Sequence, residues 1–256
     1  MRFAMRSIRY ARDDARLSTF AAIAIVILTL ATAAPALAQA PARIAGSITS
    51  ASGSVQLQRG TATTPAGAGT PVNIGDRVIT GPGGHAVVTL TDGSTLELGE
   101  SSNLAIDNHT LAPAGGRAAT QVSLFSGVVR SIVNATAGTP NFEVHTPNAV
   151  AAVRGTRFDT AYTDTETRPT YGDCHKFTDV AVYEGLVEVR NPANATAAGV
   201  DVPAGYEVTV PCDTGATLPG PLGMTGAHAG GTAGPGAGGP TVVGGVPPPA
   251  CPVCLP

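Results

Sequence analysis

The chain has 256 residues, of which 13% are charged, with 32 glycines, 21 prolines and no tryptophan; this is a composition of turn-rich β structure rather than of long helices. Its 15 basic and 18 acidic side chains give a formal net charge of −3. Nonspecific nucleic-acid binding, which depends on clustered Lys and Arg along a phosphate backbone, is not expected of such a chain.

Residues 1–18 carry Arg2, Arg6, Arg9, Arg12 and Arg16 against Asp13 and Asp14, and an uncharged apolar run follows from Thr19 to Ala38. A basic stretch, an apolar stretch and the small-x-small triplet Ala36-Leu37-Ala38 describe a signal peptide over residues 1–38, cut before Gln39. The competing reading is an uncleaved anchor, because a helical span needs about 20 apolar residues; only then does the chain contact a membrane. Pro35 breaks helix just before the triplet and favours cleavage. Both readings take the chain out of the cytoplasm, to the periplasm, the cell surface or beyond. The leader holds five arginines and two aspartates, so its removal lowers the net charge to −6.

From Ile44 to Val210 the apolar residues recur with period two in short runs bounded by Gly, Pro, Asp or Asn. That is the signature of half-buried strands joined by tight turns, and residues 39–213 are expected to form one all-β domain. Strands are expected over residues 54–58, 77–80, 86–90, 95–98, 104–106, 121–125 and 127–133. Others are expected over 141–145, 156–162, 180–183, 186–189 and 206–210. VVTLTDGSTLEL is the clearest hairpin, since Gly93 tolerates the positive φ of a two-residue turn. The strand spacing suits a sandwich-like or a solenoid-like arrangement. Residues 60–71 and 163–178 read as exposed loops, and Asn148–Val153 reads equally as a helical turn or a buried strand. After Asp213 no Asp, Glu, Lys or Arg occurs. Residues 214–256 are too poor in large side chains to offset the entropy of ordering, and are expected to be a flexible Gly/Pro-rich tail.

VHTPNAVAAVRGTRF, from Val144 to Phe158, resembles the core of FecR-type domains. There a strand ending in Thr-Pro leads through small apolar residues to Val-Arg-Gly-Thr and a further strand. VNIGDRVITGPGGHAVVTLTDGSTLEL is similar to that family's Gly-Asp, Thr-Gly and Asp-Gly-Ser block, and LFSGVVRSIV to its Leu-x-x-Gly-x-Val strand. VAVYEGLVEVRN and VPAGYEVTV resemble its closing segments. The likeness runs over about residues 46–210 in the expected order. It implies an extracytoplasmic FecR domain with Thr146, Pro147, Val153, Arg154, Gly155, Thr156 and Phe158 as its motif residues. Well-known FecR proteins are membrane regulators of iron–siderophore signalling, with a cytoplasmic segment that binds a sigma factor. Only eighteen residues precede the apolar segment here, too few for that folded module, so direct sigma-factor control is not expected.

The same residues have a plain physical reading. Pro147 disfavours helix at Thr146. Gly155 permits either an unusual backbone angle or a close approach. Val150 and Val153 are expected in the core, and Arg154 is expected to bond loop carbonyls, pair with a carboxylate or face a partner. Most of the motif therefore shapes the fold.

Signs of catalysis are weak. His85, His109, His145, His175 and His228 share no motif, and no G-x-S-x-G elbow is present. Glu97 and Glu100 read as a solvated edge, and Asp76 and Asp92 as turn residues. No enzyme activity, cofactor or metal is expected. The cysteines are Cys174, Cys212, Cys251 and Cys254. In an oxidising compartment Cys174 and Cys212 are expected to form a disulfide in preference to a metal site with His175. Cys251 and Cys254, in the tail, are expected to pair locally or with another chain. The leading functional expectation is an envelope module that binds or senses another protein. A structural or surface-display protein tethered by a cysteine-bearing tail is the alternative, and a hydrolase comes last.

Overall fold

Strands dominate the described residues, which are 43–113, 116–136, 141–194 and 196–223 of this computed structural model. The leader and the tail from residue 224, with Cys251, Cys254 and His228, lie outside them. The first strands are β1 (Ile44–Ser52), β2 (Val55–Arg59), β3 (Ala62–Pro65), β4 (Pro71–Asn73), β5 (Arg77–Thr80) and β6 (His85–Leu90). Next come β7 (Thr95–Leu98), β8 (Asn103–Leu111), β9 (Arg117–Ile132), β10 (Phe142–His145), β11 (Val150–Val153) and β12 (Arg157–Thr163). A 3-10 turn at Pro169–Tyr171 precedes β13 (Phe177–Glu184), β14 (Leu186–Arg190), β15 (Val200–Pro203), β16 (Tyr206–Pro211) and β17 (Gly220–Pro221). Among the described residues no helix is long and apolar enough to cross a membrane.

The strands form two ladders that share β9. The first runs β4-β1-β6-β7-β9-β12-β13-β16-β17. The second runs β3-β2-β5-β8-β9-β10-β11-β14-β15. All pairings are antiparallel except β9 with β10. One core unites the inner faces, with Val88, Leu96, Phe158 and Val182 from the first ladder and Leu57, Leu104, Phe142 and Val189 from the second. The result is layered like a sandwich, while the chain passes back and forth between layers as a solenoid does.

Alternation accounts for the pairing. Ala86, Val88 and Leu90 are buried on one face of β6 and stand in register with Leu98 and Leu96 of β7. The expected Asp92-Gly93 hairpin therefore forms, with Gly93 at φ +80°. Residues 121–125 and 127–133, expected as two strands, are one strand kinked at Gly127. Residues before it pair in the second ladder and residues from it onward in the first. Gly127 has φ +84°, and a Cβ there would run into Ser102. Ser102 Oγ accepts from Val128 N at 3.0 Å and donates to Val128 O at 3.1 Å, which fixes the kink.

Residues 60–71 are not a plain loop. They hold β3 and the start of β4, and every residue of β3 is exposed. Its Ala-Thr-Thr-Pro has no apolar alternation to read; backbone pairing with β2 makes it a strand. Val150–Val153 settles as strand β11, with all its residues buried. The loop after β12 covers residues 164–176 and contains Cys174.

Candidate functional site

Four sequence blocks meet at one buried arginine that the sequence did not single out. Arg117 opens β9, and its side chain is fully buried. Its Nη1 donates to Asp92 Oδ2 at 2.6 Å and to Ser94 Oγ at 3.1 Å. Its Nε donates to Asn141 Oδ1 at 2.9 Å, and its Nη2 to the carbonyls of Asn134 at 2.9 Å and Arg154 at 3.0 Å. All five N–H donors of a guanidinium are thereby used, as burial of the charge requires. The ring of Phe142 lies 5.3 Å from the guanidinium carbon.

Asp92 is therefore more than a turn residue. Its Oδ1 accepts from Ser94 N at 3.0 Å and its Oδ2 from Ser94 Oγ at 2.9 Å, while Asn134 Nδ2 donates to its carbonyl at 2.9 Å. Burial raises the carboxyl pKa, but the Ser94 hydrogen bonds and Arg117 together outweigh it and hold the value below the ordinary one. His109 sits beside this cluster, with Nε2 2.7 Å from Thr91 Oγ1 and Nδ1 2.8 Å from Thr120 Oγ1. Burial, with Arg117 opposing Asp92, depresses its pKa. Asp76 likewise exceeds its turn role: it accepts from Asn73 N at 2.8 Å and binds Arg59 through both oxygens at 2.9 and 2.7 Å.

The motif residues divide by role. Thr146 N donates to Ala149 O at 2.8 Å, closing the turn between β10 and β11 with Pro147 exposed at its tip. Below it, Ala149 N donates to Thr146 Oγ1 at 2.9 Å, and Thr146 Oγ1 lies 2.7 Å from Thr178 Oγ1. Thr178 donates to Asn148 Oδ1 at 2.5 Å, and Asn148 Nδ2 donates to Val210 O at 2.8 Å. This chain of bonds ties a turn of one layer to β13 and β16 of the other. Val153 and Phe158 are core residues at 1% and 0% exposure. Gly155 is a close-approach glycine: its φ is not positive, and a Cβ would strike the backbone of Ala135. Thr156 is buried, and its carbonyl accepts from Val133 N at 2.9 Å. Arg154 serves the fold through its carbonyl, while its side chain is exposed.

Cys174 and Cys212 are joined by a disulfide with Cα atoms 5.9 Å apart. It fastens the loop after β12 to the end of β16, where Cys212 N also donates to Lys176 O at 2.8 Å. Arg168 in the same loop grips Asp179 through both oxygens at 2.9 and 2.6 Å and stacks 4.3 Å from the Phe177 ring centre. Next to it, Arg130 binds Asp159 at 2.8 and 3.0 Å, and Tyr183 donates to the same carboxylate at 2.9 Å. Burial first, then Asp159, raises the Tyr183 pKa.

These groups anchor strands, and the hydroxyl–imidazole contacts among them are those of Thr91 and Thr120 with the buried His109. His85 and His175 are exposed, and His145 Nε2 meets Glu143 Oε2 at 2.6 Å on the sheet surface. Glu100 accepts from Gly83 N at 2.8 Å, and Glu97 stands opposite Arg130. Among the described residues no group of three or more His, Cys, Asp or Glu side chains is arranged to hold a metal. A pocket of about 280 Å³ opens beside the motif, bordered by Ala152, Val153, Arg154, Gly155, Leu186, Glu188 and Asp201.

Comparison with known proteins agrees with the resemblance in the motifs. The family model described as FecR protein matches residues 76–188. Two crystal structures of a candidate anti-sigma factor from Parabacteroides distasonis ATCC 8503, at 1.65 and 2.50 Å resolution, align with part of this chain. Each is 20% identical, with TM-scores of 0.41 and 0.43, over 57% of this chain and 59% of theirs. The chain thus spans about three-fifths of the length of those structures. No curated protein matches it.

Proposed function

We propose that the protein, whose residues 76–188 match the FecR protein family model, is an exported, non-catalytic module of the cell envelope that binds or senses another protein. The observation that carries this reading is the Arg117 joint. Thr146, the Arg154 carbonyl and the Thr156 carbonyl are spent on fold contacts, so function falls to the outward sheet faces and the loops. Large surfaces of this kind suit protein recognition better than small-molecule chemistry. The basic and apolar segments of residues 1–38 support export, and the Cys174–Cys212 disulfide suits an oxidising compartment.

The display alternative needs cysteines that link chains. Cys174 and Cys212 are occupied with each other, so that reading rests on Cys251 and Cys254. Chemical cross-linking of intact cells, recovery of the full chain and identification of what comes with it tests the proposal. A defined envelope protein recovered in constant proportion is the expected result. Recovery of the chain alone, or as disulfide-linked ladders on a non-reducing gel, contradicts it.

A further inference from the structure

We propose that the pocket beside the motif receives a lysine or arginine side chain from a basic segment of the partner protein. The inference rests on the protein-binding reading above and adds the surface and the chemistry of the partner. Glu188 of β14 and Asp201 of β15 stand directly opposite each other across the ladder, both exposed on its outer face. Like charges in direct cross-strand register repel and weaken a sheet. Among the described residues no cation pairs with either. Arg190, on the same strand and face as Glu188, turns to Glu143 at 3.8 Å, and His145 also binds Glu143.

The register extends the acidic row. Glu143, Ala152, Glu188 and Asp201 are successive cross-strand partners. Ala152, set between Glu143 and Glu188 in this row, has only a methyl group, and with Glu188 and Asp201 it lines the pocket of about 280 Å³. Leu186, 49% exposed, walls it on one side. An apolar wall beside a carboxylate pair suits a side chain with a long methylene stem and a cationic head. Arg154 borders the pocket, yet two carboxylates against one guanidinium leave the lining net negative. Among the described residues β15 pairs in this ladder with β14 alone, which leaves its other edge as the side from which an extended segment would approach.

The test places a photoreactive residue at position 186 of the full chain in intact cells, with positions 49 and 56 as controls on the other sheet and on the far strand β2. The expected result is an adduct from position 186 to a partner peptide containing Lys or Arg. Its yield should fall about tenfold when Glu188→Gln and Asp201→Asn are combined, with melting temperature and disulfide unchanged. Should the double variant fold poorly, Asp201→Asn alone is expected to lower the yield severalfold. Adducts from 49 or 56 but not from 186 would overturn the inference and leave protein binding intact. So would a 186 adduct to a second copy of this chain, to a peptide without basic residues, or with a yield indifferent to the neutralised carboxylates. No adduct from any position would remove the binding reading itself.

Discussion

The Arg117 guanidinium holds the carbonyl of Arg154 at 3.0 Å, across 37 residues of sequence. Through that bond the Asp-Gly-Ser hairpin, the start of β9 and the Val-Arg-Gly-Thr corner become one buried joint. Arg117→Met should leave the Asp92 carboxylate buried without its cation and the Asn134 carbonyl without the guanidinium donor, while the Arg154 carbonyl keeps Thr136 N at 3.2 Å. A loss of about 3–5 kcal/mol in urea-unfolding stability is expected. Arg117→Lys should recover little of it, since one ammonium cannot reach partners placed for a planar fork.

Stability should depend on pH in two separate windows. Burial depresses the His109 pKa below its ordinary 6.5, so the unfolded chain takes up a proton that the folded chain resists. Stability should therefore fall as pH drops below about 6.5. His109→Gln should flatten that slope. Asp92 is the opposite charge type with a lowered pKa: its contribution is present above the ordinary carboxylate value of 3.8 and is lost as pH falls through the lower folded value. Asp92→Asn should remove only this second, more acidic loss. Chemical unfolding from pH 8 to pH 3 checks both.

The kink in β9 should tolerate no side chain. Gly127→Ala forces a non-glycine residue into φ +84° and presses its Cβ against Ser102. A loss of about 1–3 kcal/mol is expected from the backbone angle alone, and more with the collision. Ser102→Ala should cost less in the same assay, because it removes bonds without creating a clash.

Much of this was legible beforehand, and what was not has physical causes. Val88, Leu96 and Val182 announce strands because one face is buried and the other wet. β3 is silent because none of its residues is buried, and β1 is weak because Gly46 and the serines dilute its alternation. Arg117 was missed for a different reason. Next to Gly115-Gly116 a lone arginine reads as a solvated loop charge, and its partners are scattered from Asp92 to Arg154. The sequence hint was that Asp92, Ser94 and Arg154 lie in blocks that resemble one family. By contrast the Cys174–Cys212 pair followed from parity and compartment.

Reduction of that disulfide should loosen the loop of residues 164–176 and the end of β16 while leaving the β6–β7 hairpin protected. Hydrogen exchange with and without reductant reads this directly. The loss of global stability should be about 2–4 kcal/mol, given the loop the bond closes. Cys174→Ala should reproduce it.

The central claim, that this protein works by holding another protein in the envelope, is tested most directly by its mass when isolated from that envelope. Full-length protein, purified gently with and without prior cross-linking and weighed by native mass spectrometry, should appear as a complex with one other polypeptide. A bare monomer under both conditions would contradict it.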